Sequence, residues 1–206
     1  MGTYPLSIVA CLRLGVRQVR AEIAHLSDLH VGHSNERLTR FITRAAAFPC
    51  DVVVITGNFV ESYKDRSGLL DVQGPLLNGT TPVIGVLGNH ARYIYGGRRL
   101  RRVGVGADAA PVISTLRNAG VELLVDSAIQ IELASGLVTF AGLHSDSHAR
   151  EGVAATLSGL HLARTALLAH SPDIHRAAHQ AGAKVFARGT YTRRTSTFGT
   201  VDHTED

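Results

Sequence analysis

Short apolar runs alternate along the chain with polar, glycine-punctuated stretches, and several of the runs end on residues able to do chemistry. Ile23-Ala24-His25-Leu26 leads into Ser27-Asp28, and Asp51-Val52-Val53-Val54-Ile55 leads into Thr56-Gly57. Both read as buried strands, because β-branched and aliphatic runs of this length fill a sheet covered on both faces. Val83-Ile84-Gly85-Val86-Leu87-Gly88 repeats the device, and so does Ala166-Leu167-Leu168-Ala169-His170. From Asn35 to Ala47 the apolar positions Leu38, Phe41, Ile42 and Ala45 share one face, which predicts a helix with Asn35 as its cap. Pro111 to Ala119 stopped by Gly120, Ala154 to Leu160, and Ile174 to Ala181 closed by Gly182 predict three more.

Strand, polar loop, helix, strand is the order of an α/β fold that binds ligands at the carboxyl ends of its strands. Val121 to Val125, Ile129 to Leu133 and Leu137 to Leu143 form a strand series with turns between, predicting a second sheet packed on the first. Lys184 to Ala187 reads as one more short strand. The apolar stretch Pro5 to Leu12 lacks a basic leader and a cleavage site, so an edge strand is the simpler reading than a signal peptide. Ala91 to Ala110, rich in Gly and Arg, reads as a mobile loop. Neither an internal repeat nor a domain boundary interrupts the pattern.

Composition narrows the class. The chain has 206 residues, 45% hydrophobic and 18% charged, which suits one globular domain and not a disordered one. Its two cysteines, Cys11 and Cys50, have no metal-type spacing and form no disulfide framework, which fits a reducing cytoplasm. No apolar stretch reaches the roughly 20 residues that cross a bilayer. The net charge of +4 owes much to Arg98, Arg99, Arg101 and Arg102 and to Arg193-Arg194. Such clusters suit a solvated loop, a phosphate, or peripheral contact at the acidic inner face of a membrane. They support nucleic-acid binding only weakly, because no aromatic stripe accompanies them.

The chemistry lies in ordered blocks. Ser27-Asp28-Leu29-His30, Thr56-Gly57-Asn58, Gly88-Asn89-His90 and His170-Ser171-Pro172-Asp173 each follow an apolar run. Asp28 and His30 stand two apart at a strand end, where both side chains reach one cleft. Carboxylate and imidazole together suit Zn, Fe or Mn. One such pair is weak evidence, whereas four ordered blocks are much stronger.

In these blocks, from about Ile23 to Gly189, the chain resembles the calcineurin-like metallophosphoesterases, and in wording a bacterial phosphodiesterase-like branch of them. That family's pattern is Asp-x-His, Gly-Asp, Gly-Asn-His, a lone His, then Gly-His-x-His. The resemblance implies a four-layer α/β/β/α sandwich, here lacking its last strands, with two divalent metal ions, Mn, Fe or Zn. It implies that Asp28 and His30 bind the first metal, Asn89 and His170 the second, and that position 58 bridges both. His90 would assist the leaving group or stabilise the phosphate. The substrate implied is a phosphomonoester or phosphodiester, attacked by a metal-bridging hydroxide.

Four positions depart from that pattern, in three of its blocks. Asn58 stands where the bridging aspartate belongs, Ala91 where an acidic residue usually follows Gly-Asn-His, and Thr190 and Thr192 where the final histidines belong. A site short of these ligands is expected to hold its ions more weakly. His25, His33, His144, His148 and His203 are the candidate replacements.

The domain is expected to span residues 1–187. Residues 188–206, rich in Thr and Arg and without apolar period, are expected to form a poorly ordered tail. One set of codons for Gly189 to Thr192, read one base earlier, encodes His-x-His, so the tail also reads as a frameshifted remnant. The leading expectation is a metal-dependent phosphoesterase with impaired activity. The alternative is an inactive interaction module that retains phosphate or single-metal binding.

Overall fold

The computed structural model describes residues 7–16, 19–32, 36–61, 69–77, 79–91, 93–96, 101–105, 109–144, 150–183 and 185–188. Its strands are β1 (Ser7–Val16), β2 (Val19–Ser27), β3 (Val52–Thr56), β4 (Val83–Val86), β5 (Tyr93–Gly96), β6 (Arg101–Val105), β7 (Val121–Leu124), β8 (Ser127–Leu133), β9 (Gly136–Gly142), β10 (Thr165–Ala169) and β11 (Val185–Arg188). The helices are α1 (Glu36–Ala46), α2 (Leu69–Leu77), α3 (Ala110–Asn118), α4 (Arg150–Leu157) and α5 (His175–Gln180).

One sheet has the order β1-β2-β3-β4-β7 and the other β11-β10-β9-β8. Strands β2, β3, β4 and β7 are mutually parallel, as are β9, β10 and β11, while β1 and β8 are antiparallel to their neighbours. Parallel strands put all their carboxyl ends at one edge, which is why the polar blocks that follow β2, β3, β4 and β10 can meet.

Period-two alternation decides the layers. In β3, Val53 and Ile55 face a core made with Leu38 and Ile42 of α1, Leu69 and Leu76 of α2, and Val112 and Leu116 of α3. Val52 and Val54 face the opposite way, onto Val138 and Phe140 of β9 and Ala166 and Leu168 of β10. The far side of the second sheet, Ala141, Leu167 and Ala169, packs on Val153 and Leu157 of α4 and Ala178 of α5. Helices, sheet, sheet, helices: the fold is the expected four-layer sandwich.

Most expected elements are present, with the edge strand at β1 and the first helix at α1. Two readings need correction. The stretch from Ala91 to Ala110 contains the β5–β6 hairpin rather than loop alone. Strand β7 belongs to the first sheet, paired with β4, so only β8 and β9 of the expected strand series join the second. Helix α2, which carries Pro75 inside it, is an addition to the expected elements, because its Gly74-Pro75 pair reads locally as a turn.

Candidate functional site

The β2–β3 ladder continues past both strand ends. Asp28 N donates to Gly57 O (3.3 Å), His30 N to Asn58 O (2.8 Å), Val31 N to Phe59 O (3.0 Å) and Glu61 N to Val31 O (3.0 Å). This extension is built from unusual backbone: Asp28, His30 and Asn58 all have positive φ, at 57°, 45° and 47°. Asp, Asn and His are the side chains that tolerate the left-handed region best, although it still costs energy. Three such residues gathered at one sheet edge place strain where the candidate chemistry lies.

Two glycines are required by close approach. A Cβ on Gly57, which has φ 82°, would overlap the His170 ring, and a Cβ on Gly88 would overlap the Asn58 side chain. The glycines of Thr-Gly-Asn and Gly-Asn-His therefore let side chains from neighbouring blocks close on one another.

Asn58 lies at the centre. Its Nδ2 donates to Asp28 Oδ1 (2.9 Å), and its Oδ1 accepts from His90 N (3.2 Å). A backbone N–H only donates, so the atom facing His90 must be the amide oxygen, which directs the NH2 at Asp28. Ser27 Oγ lies 2.5 Å from Asp28 Oδ2 and 2.9 Å from the Thr56 carbonyl, with one proton to give between them. Asp28 is thus held through both oxygens.

His170 reaches the same cleft from the second sheet. Its Nδ1 donates to the Thr56 carbonyl at 3.1 Å, and its Nε2 lies 2.8 Å from Asn89 Oδ1. Burial lowers the His170 pKa, with Asp28 and the Thr56 bond opposing that shift, so the ring is neutral and Nε2 carries a lone pair. Two acceptors facing at this distance are relieved by a shared cation or by a half-turn of the amide. The pair fits a divalent metal, whose ligands lie roughly 3 Å apart.

A second cluster surrounds His30. Its Nδ1 is 3.0 Å from Glu61 Oε2 and its Nε2 3.7 Å from Asp28 Oδ1. Burial opposes its charged form, but the bonds to Asp28 and Glu61 prevail and raise its pKa. The His30 and His90 rings stand edge to face with centroids 4.5 Å apart. His90 Nδ1 lies 2.6 Å from the Glu61 carbonyl, to which it donates. Burial and the neighbouring His30 lower its pKa to about 4. His30, Glu61 and His90 offer ligand atoms all within 4.8 Å of one another.

The structure thus gathers Asp28, His30, Asn58, Asn89, His90 and His170 at one edge of the sandwich. It adds Glu61, which sequence reading passes over because no metal-ligand spacing links it to another block. Thr190, Thr192, His33, His148, His203, Arg98, Arg99 and Arg193-Arg194 lie outside the described residues. His144 anchors the end of β9 through its N–H to Asp126 Oδ1 (2.8 Å) and is not in the His30 cluster.

His25 is fully buried, its Nε2 2.7 Å from Thr56 Oγ1, while its Nδ1 has no hydrogen-bond partner. Burial lowers its pKa from 6.5 to about 4, against the pull of Asp28. The folded state refuses a proton that the unfolded chain accepts, so this stability is full above about pH 6.5 and is lost as the pH falls toward about 4. The loss from this group is about 3 kcal/mol. Urea unfolding of the metal-free protein at pH 7.5 and pH 4.5 measures it. In His25→Gln, which can still bond Thr56, the difference between the two pH values should shrink, and an unchanged difference would refute the assignment.

The four-layer sandwich is that of a metallophosphoesterase-like fold. The sequence profile of the calcineurin-like phosphoesterases matches residues 21–188, and the chain belongs to that family. Among solved structures it is similar to a phosphopantetheinyl hydrolase from Mycobacterium tuberculosis, at 17% identity and a TM-score of 0.48 over 76% of this chain and 70% of that one. No curated protein matches. No helix among the described residues is long and apolar enough to cross a membrane.

Proposed function

We propose that the chain is a metal-dependent phosphoesterase acting on a phosphomonoester or phosphodiester, with activity below that of a family site carrying all its ligands. The observation that carries this reading is the approach of His170 Nε2 to the Asn89 side-chain amide at 2.8 Å, an imidazole and an amide brought together from different sheets. Asn89 and His170 would hold one divalent ion (Mn, Fe or Zn), and Asp28 and His30 would face the other, with Asn58 between them. A bound cation would supply Lewis-acid stabilisation of phosphoryl oxygens. His90 has its Nδ1 proton committed to the Glu61 carbonyl. It would therefore turn its Nε2 lone pair to the cleft. The paucity of cysteines supports a cytoplasmic setting.

Hydrolysis of bis-(p-nitrophenyl) phosphate with added Mn2+ tests the reading. Turnover is expected, with a loss of at least about a hundredfold in His90→Ala if general acid–base transfer is its role. Wild-type protein with bound Mn2+ and no turnover would overturn it. A second reading, a silent module that retains phosphate or one metal, is favoured by a specific feature. Asn58 turns an N–H, not a second carboxylate, toward Asp28.

A further inference from the structure

A neutral imidazole has one lone pair, so His30 can serve a metal on one side only. On one side, at 3.0 Å, is Glu61 Oε2, and on the other, at 3.7 Å, is Asp28 Oδ1. The nearer spacing is that of two ligands sharing one ion, roughly 3–3.5 Å for a tetrahedral centre. The farther partner is a carboxylate placed to receive the other ring N–H, as carboxylates commonly do behind metal-bound histidines. Meanwhile the central position is poorly suited to bridging, since Asn58 faces Asp28 with its amide NH2 and its oxygen is turned to the His90 backbone N–H.

We propose that the ion expected at Asp28 and His30 is displaced, and that His30, Glu61 and His90 bind a single divalent transition-metal cation. Three observations support the site independently of the family pattern. The ligand atoms lie within 4.8 Å of one another and make a two-histidine, one-carboxylate set, which suits Zn, Fe(II) or Mn. The ladder from His30 to Glu61 fixes the two chain segments against each other, through His30 N to Asn58 O and Glu61 N to Val31 O. His90 donates Nδ1–H to the Glu61 carbonyl, which leaves its lone pair on Nε2 in the tautomer a ligand needs. Asp28 then acts as a positioning residue through the His30 ring rather than as a ligand.

The proposal rests on the cleft taking up a divalent cation, and not on turnover. The metal-free full-length chain is titrated with Zn2+ by calorimetry, in wild type, Glu61→Gln, Glu61→Asp and Asn89→Ala. One equivalent should weaken about tenfold or more in Glu61→Gln. Part of that affinity should return in Glu61→Asp, and the equivalent should persist in Asn89→Ala. Matching circular dichroism spectra and melting temperatures verify that the variants fold, and the partly exposed Glu61 side chain makes this expected. Affinity unchanged in Glu61→Gln but lost in Asn89→Ala would overturn the displaced site while leaving the metal cleft standing. No Zn2+ uptake by wild type would overturn both. Absent hydrolysis alongside normal uptake would count against the phosphoesterase reading alone.

Discussion

Asn58→Asp is expected to destabilise the metal-free protein by about 3 kcal/mol at neutral pH and to narrow that deficit when Mn2+ is added. Asp tolerates the left-handed backbone at this position (φ 47°) much as Asn does, so the change is electrostatic. The substitution removes the Nδ2 donor to Asp28 Oδ1, a bond to a charged acceptor worth about 1.5–3 kcal/mol. It also sets a second carboxyl against the first, and each unit by which one pKa rises costs about 1.4 kcal/mol of differential interaction. A cation between the two carboxylates changes the sign, because the repulsion becomes a pair of anionic ligands. At 100 times its Kd, a metal that binds only the folded state adds about 2.7 kcal/mol.

Urea unfolding with and without Mn2+ should therefore show the gap between wild type and Asn58→Asp narrowing when the metal is added. A variant no less stable than wild type without metal would mean that the Asn58 amide does not brace Asp28. A variant that gains nothing from Mn2+ would mean that the centre of the cleft is not a cation site. Adding Thr190→His and Thr192→His should raise metal affinity further if those positions complete the site.

Gly57→Ala is the second large effect, with an expected cost of about 3 kcal/mol and weakened metal uptake at His170. Two penalties coincide. A side chain at φ 82° enters a region disfavoured by about 1–2 kcal/mol, and the added methyl drives into the His170 ring, where overpacking costs about 1–3 kcal/mol. Against a total stability of about 5–15 kcal/mol for a domain, that is a substantial fraction. Gly120→Ala supplies the control, because its φ is 92° but nothing lies within 4 Å of the added Cβ. It should lose only the backbone component, about 1–2 kcal/mol. Equal losses for the two variants in urea midpoint would show that the Gly57–His170 approach carries no energy of its own.

Much of this was legible along the chain. The aliphatic runs at Val52 to Ile55 and Ala166 to Ala169 declared buried strands, and the Leu38, Ile42 spacing declared α1, because periodicity is a local property that burial enforces. Local signals failed in three places. Gly and Arg between Ala91 and Ala110 concealed the β5–β6 hairpin, Gly74-Pro75 concealed α2, and β7 gave no sign of which sheet it would join. A strand's run specifies that both faces are covered, not which neighbour pairs with its edge.

The site divides in the same way. The residue types at Asp28, His30, Asn89, His90 and His170, and the amide in place of a carboxylate at Asn58, are facts of sequence, and with them comes the family. The orientation of Asn58 was decided only in three dimensions, because a backbone donor from His90 sets which amide atom faces Asp28. Glu61 likewise became a candidate ligand only when the extended ladder set it 3.0 Å from His30. Sequence specifies which donors and acceptors are present, whereas the direction of a lone pair or an N–H depends on neighbours that only folding brings within reach.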